Sequence, residues 1–158
     1  MSMDFIKFRK IYLKNKYEGN VGENDVLPMI EEYFKVKLTK LDNNNIMDFR
    51  DNYGIYYEVK TRNNNYKTHP TTMIGYNKVQ FANRLGRPVY FIFNFFDGVY
   101  FYKYTFDKIK DFEIKRGGRC DRGKEEYKIY CYIPIEKLTK LELEESDVTG
   151  LSIPLDSI

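Results

Sequence analysis

Residues 46–61 read Ile46-Met47-Asp48-Phe49-Arg50-Asp51-Asn52-Tyr53-Gly54-Ile55-Tyr56-Tyr57-Glu58-Val59-Lys60-Thr61. Ile46 to Arg50 and Ile55 to Thr61 have the apolar, β-branched and aromatic character of short strands. The polar Asp51-Asn52 and the permissive Gly54 between them predict a hairpin. Side chains on a strand alternate between faces, so Glu58 and Lys60 project together while Tyr57 and Val59 go to the other side. Asp48 joins Glu58 and Lys60 only if residue 48 pairs with 58, which leaves 51–55 as a five-residue loop. In that register the two Cβ atoms stand about 5 Å apart. A shift of one residue sends Asp48 to the opposite face, and the local sequence leaves both registers open.

Two carboxylates facing each other repel unless a cation lies between them, and a hard divalent ion with oxygen ligands suits that gap. Such an ion can bind a phosphate oxygen and lower the pKa of a bound water. Lys60 could then orient the water or stabilise charge that develops on phosphorus. The pattern therefore accommodates metal-assisted phosphodiester hydrolysis. It is also short, and it describes equally a solvated sheet face carrying a Glu–Lys pair.

Working outward, residues 20–35 carry Val26, Leu27, Ile30, Tyr33 and Phe34 on one helical stripe. The start falls at Asn20, with Glu23 as a capping partner, or at Asn24, which puts Pro28 nearer the first turn. Val36 to Leu41 reads as a strand preceding the hairpin. Residues 75–85 return to helical spacing through Val79, Ala82 and Leu85 or Phe81, and Gly86 and Pro88 form the stop. Val89-Tyr90-Phe91-Ile92-Phe93 reads as a strand covered on both faces. Asp97-Gly98 marks a turn into Val99–Tyr104. Tyr127 to Ile133 alternates as a last strand after a basic loop. The expected fold class is α/β: a mixed central β-sheet flanked by helices, with a β-rich C-terminal extension.

The chain has 158 residues, of which 42% are hydrophobic and 17% aromatic, with fifteen Tyr, twelve Phe and no Trp. That is enough apolar material for one real core and argues against disorder. One domain is expected over 1–158, with a core near 19–96, a basic extension over 97–140 and an acidic tail over 141–158. All 26 Lys and Arg lie in 1–140 against 18 of the 23 acids, so the body carries about +8. A basic body suits a polyanion, and the same distribution equally describes a well-solvated surface with an acidic end. No apolar run is long enough to span a bilayer, and the charged N-terminus does not read as a signal peptide. The expectation is a soluble intracellular protein, cytoplasmic or nuclear. The abundance of Asn, Lys, Tyr and Phe fits an AT-rich genome, cellular, viral or phage. Cys120 and Cys131 lack metal-ligand spacing and read as reduced thiols. His69 is the sole histidine, which gives little support to histidine-based catalysis. Phosphate-binding and dinucleotide glycine loops are absent.

The order helix, three strands, helix, strand, with Met47-Asp48 and Glu58-Val59-Lys60 on the second and third strands, resembles the PD-(D/E)XK nuclease superfamily of the restriction-endonuclease-like fold. Gly19 to Glu23 matches the Gly-x-x-x-Glu stretch that the family often carries in its first helix. The resemblance covers about residues 19–96. Met47 stands where the family commonly has proline, and residues 97–158 lie outside its core pattern. By this resemblance Asp48 and Glu58 would be metal ligands, with the Val59 carbonyl and Glu23 as further ones, and Lys60 the catalytic lysine. Gln80 on the second helix would approach the centre. The ion would be Mg²⁺ or Mn²⁺, and the activity that of a DNA endonuclease, resolvase-like or of a repair type, acting on duplex, branched or single-stranded DNA, often as a homodimer and without a membrane.

For DNA contacts the candidates are Lys67 and Thr71 after the third strand, Lys78 on the second helix, and Lys115, Arg116, Arg119, Arg122 and Lys124 in the glycine-containing basic stretch 115–124. Arginines grip phosphate with two hydrogen bonds, and Tyr127, Tyr130 and Tyr132 offer faces for unpaired bases. The same stretch also reads as a charged hairpin tip that keeps a strand edge soluble. Two other functions stay open: an inactive nucleic-acid-binding module of the same fold, and a subunit that cuts only within a larger complex.

Overall fold

A computed structural model describes residues 23–119 and 126–142. Helix α1 spans Glu23–Phe34 and is followed by strands β1 (Leu38–Lys40), β2 (Phe49–Asp51), β3 (Tyr56–Thr61) and β4 (Thr71–Gly75). Then come α2 (Tyr76–Leu85), β5 (Val89–Phe95), β6 (Gly98–Tyr104), β7 (Glu113–Arg119), β8 (Glu126–Pro134) and β9 (Thr139–Lys140), with short 3-10 turns at Phe106–Asp111 and Ile135–Lys137. The result is a mixed α/β architecture dominated by sheet.

Six strands form the central sheet in the order β1-β2-β3-β5-β6-β9, and β4-β8-β7 form a second, antiparallel sheet. In the central sheet β3 and β5 are parallel, with Glu58 opposite Phe91 and Lys60 opposite Phe93, and the other pairs are antiparallel. A parallel pair needs a crossover, and β4 with α2 provides it. This puts α2 and the second sheet over one face of the central sheet, where Ile74, Val79, Ala82, Cys131 and Ile133 pack with Phe91, Phe93 and Phe95. The other face meets α1, where Val26 and Ile30 pack with Phe49, Tyr57, Val59 and Ile92. β5 is buried on both faces, as its unbroken apolar run implies.

Several boundaries differ from the sequence reading. The second strand runs Phe49–Asp51 instead of Ile46 to Arg50, and residues 43–48 form turns and bends. Asp51 closes that strand because its Oδ1 accepts the N–H groups of Tyr53 and Ile55 and its Oδ2 accepts the Tyr57 hydroxyl. Gly54 takes the turn at φ +86°. Helix α1 already includes Glu23 and Asn24, so Pro28 sits inside it and not in a first turn after an Asn24 cap, while an Asn20 start lies outside the described residues. The β5–β6 turn is Phe96-Asp97, because Phe95 already pairs with Gly98. Thr71–Gly75, for which the sequence suggested no strand and whose Gly75 fell in the expected helix 75–85, is strand β4, held against β8 by pairing that is distant in sequence. Lys115 to Arg119, expected in a basic loop, belong to β7 for the same reason. Helix α2 ends as expected, with Gly86 at φ +69° donating its N–H to the Ala82 carbonyl.

Candidate active site

The β2–β3 ladder pairs Phe49 with Tyr57 and Arg50 with Tyr56. One further step puts Asp48 across from Glu58. The ladder distorts at that step: the Asp48 N–H reaches the Tyr57 carbonyl at 3.2 Å, and the Asp48 Oδ2 accepts the Val59 N–H at 2.9 Å. Asp48 thus lies just before β2 instead of within it, with its carboxylate anchored on the backbone of the strand that carries Glu58.

Glu58 is 1% exposed. Its Oε1 is 3.2 Å from Lys60 Nζ and 3.4 Å from Lys78 Nζ, while its Oε2 is buried and has no hydrogen-bond partner. Burial pushes the carboxyl above the usual carboxylate range, and Asp48 adds to the rise. Lys60 and then Lys78 oppose both without cancelling them. A carboxylate is an acceptor with two oxygens, and leaving one sealed without a donor is strongly unfavourable. A hard cation is the group that would satisfy it, so Asp48 and Glu58 fit a divalent ion on chemical grounds. Among the described residues no three His, Cys, Asp or Glu side chains cluster as a ready metal cage. The Glu23 side chain, expected as a further ligand, lies outside the described residues, although residue 23 itself belongs to α1.

Lys60 follows Glu58 on the same face, and its side chain remains 38% exposed. Its ammonium therefore sits where the buried carboxylate meets solvent. Lys78 comes from the first turn of α2; its Nζ also donates to the Ile46 carbonyl, which fastens the helix to the segment preceding Asp48. Gln80, two residues further on, is exposed. The α2 side chain that reaches Glu58 is Lys78, which the sequence reading had grouped with DNA contacts. Its signal was present, since a lysine in the first turn has a long arm, but only the crossover through β4 sets that turn over Glu58.

This Asp–Glu-x-Lys constellation around the buried Glu58 has a counterpart among known proteins. The family described as "Phage putative PDDEXK endonuclease" matches residues 8–141. The chain belongs to that family. No curated protein and no solved structure matches the chain. Membership in a PDDEXK endonuclease family makes nucleic acid the expected substrate class, and nucleases of this superfamily use divalent metals.

Other candidates are dispersed. Lys67 and His69 are exposed in the turns after β3, and Thr71 opens β4 opposite Pro134. Lys115 lies 3.4 Å from Glu113 and stands over the Tyr132 ring at 4.7 Å. Arg116 is exposed on β7. The Arg119 side chain, Arg122, Lys124, Cys120 and the tail beyond Glu142 lie outside the described residues. Cys131 is a free, buried thiol, and burial pushes it up to about 11. Among the described residues, no helix is long and apolar enough to cross a membrane.

Proposed function

We propose that this chain is a divalent-metal-dependent DNA endonuclease, built as a single nuclease-like domain on the αβββαβ core of the restriction-endonuclease-like fold. The observation that carries the reading is the sealed, partnerless Glu58 Oε2 beside Asp48, with Lys60 on the same strand face. β4 is then an addition before the second helix, and β6–β9 form the C-terminal extension. Asp48 and Glu58 hold Mg²⁺ or Mn²⁺, with the Val59 carbonyl and Glu23 as further candidates. The bound ion supplies Lewis acidity toward a phosphate oxygen and makes water a better nucleophile at neutral pH.

The remaining work falls to the chain. The Val59 N–H fixes the Asp48 carboxylate. Lys78, held to Glu58 and to the Ile46 carbonyl, aligns α2 with the site. Lys60, the more exposed of the two ammonium groups, stands at the solvent boundary, where it can stabilise charge developing on a phosphodiester. Exposed Lys67, Lys115 and Arg116 are further candidates for contacts to DNA, and two copies acting together would account for cutting both strands.

The test is cleavage of labelled duplex, single-stranded and four-way-junction DNA with Mg²⁺, Mn²⁺ or EDTA, beside Asp48→Ala and Lys60→Ala. The expected outcome is metal-dependent cutting by the wild-type protein that both variants lose. Tight binding without cutting under every metal would replace this reading with that of a nucleic-acid-binding module.

A further inference from the structure

Arg62 follows β3 directly, and its N–H continues the parallel pairing by donating to the Asn94 carbonyl at 2.9 Å. Strand alternation places residues 58, 60 and 62 toward the same side. Its guanidinium donates to the Met73 carbonyl and lies 5.8 Å from the centre of the Phe93 ring. Its Nε is buried without a partner. Among the described residues no carboxylate pairs with it, whereas Lys60 and Lys78 both have Glu58. Burial pulls its pKa down, opposed by the neighbouring Tyr130.

Sealing a cation into a partly apolar site with no counter-charge is unfavourable, and a neutral side chain of similar volume would fold at least as well. A single backbone carbonyl uses one of five donors and leaves a planar fork suited to two oxygens of one anion. Arg62 as a residue is only half-buried. Lys60 and Lys78 thus share Glu58, whereas Arg62 is a cation with no carboxylate partner among the described residues.

We propose that Arg62 is a phosphate-binding residue that grips a backbone phosphate of the nucleic-acid strand next to the phosphodiester at Glu58 and Lys60. This deepens the endonuclease reading and rests on it for the identity of the phosphate. The anion seat itself rests only on the geometry.

Two variants test it in the metal-free protein. Arg62→Met removes the charge at similar length, and Arg62→Lys keeps the charge but loses the fork. Affinity for fluorescent duplex DNA is measured in EDTA across a salt series, and melting is measured with inorganic phosphate against chloride at matched ionic strength. We expect Arg62→Met to bind about 10- to 100-fold more weakly at low salt, with a log–log salt slope shallower by about one. Arg62→Lys keeps the wild-type slope at reduced affinity. Phosphate raises the melting temperature of the wild-type protein but not of Arg62→Met. If Arg62→Met melts lower yet keeps the slope and the phosphate response, Arg62 is only a brace for the Met73 carbonyl and the proposal falls. Should that variant fail to fold, an unchanged affinity in Arg62→Lys together with no phosphate effect on the wild type overturns it. Absence of cutting under every metal, with the phosphate response still lost in Arg62→Met, would sink the endonuclease reading and leave the anion seat standing.

Discussion

Lys78→Met in the metal-free protein isolates the electrostatics of the site. The Lys78 ammonium is 3.4 Å from Glu58 Oε1, and both side chains are largely buried, at 17% and 2% exposed. At an effective dielectric near 20 that separation corresponds to roughly 5 kcal/mol of gross attraction. Desolvation of the ammonium offsets part of it, and Lys60 stays at 3.2 Å to compensate further. A net destabilisation of about 2–3 kcal/mol at neutral pH is the expected result, below the 3–5 kcal/mol for a pair left with no compensation. About 1 kcal/mol of this belongs to the hydrogen bond lost at the Ile46 carbonyl.

The pH dependence follows from Glu58, whose folded pKa is raised by burial and by Asp48. A carboxyl raised on folding leaves the protein most stable below its unfolded value, about 4.3. That stability is lost as pH rises through the folded value. Removing Lys78 raises the folded value further, so the gap between variant and wild type should widen with pH and contract toward about 1 kcal/mol near pH 4. Urea unfolding in EDTA from pH 4 to pH 8 measures it. In a Glu58→Gln background the same substitution should cost about 1 kcal/mol at every pH, because only the Ile46 bond is lost. A gap that ignores pH and is undiminished in that background would refute the assignment of Lys78 to Glu58.

Other consequences are open to direct measurement. Tyr57→Phe deletes the hydroxyl that donates to the buried Asp51 carboxylate and should lower stability by about 1–3 kcal/mol in urea unfolding. Gly86→Ala meets open space but must adopt φ +69°, so about 1 kcal/mol should be lost through backbone strain alone. Phe91→Ala, at a fully buried position of the larger cluster, should cost about 3–5 kcal/mol. The Cys131 thiol, buried and raised to about 11, should resist iodoacetamide in the native protein at pH 8. Mass spectrometry should find it alkylated only after denaturation.

What the sequence determined by itself is the part governed by local periodicity. The apolar stripe of α1, the run that makes β5 a two-sided strand, Gly86 as a helix stop and the common face of Glu58 and Lys60 all follow from side-chain geometry within a few residues. The hairpin order placed Asp48 near Glu58 but left its register free, and the structure sets it through backbone contacts of Asp48 with Tyr57 and Val59. Tertiary structure alone decided the pairings between distant segments. Thr71–Gly75 becomes a strand only because β8 lies beside it, and Lys115 to Arg119 become β7 for the same reason. The crossover through β4 turns Lys78 from a surface lysine into a partner of Glu58. The Glu58 Oε2 atom is buried without a partner. Burial and charge pairing depend on what packs above a strand, and no spacing within the strand encodes that.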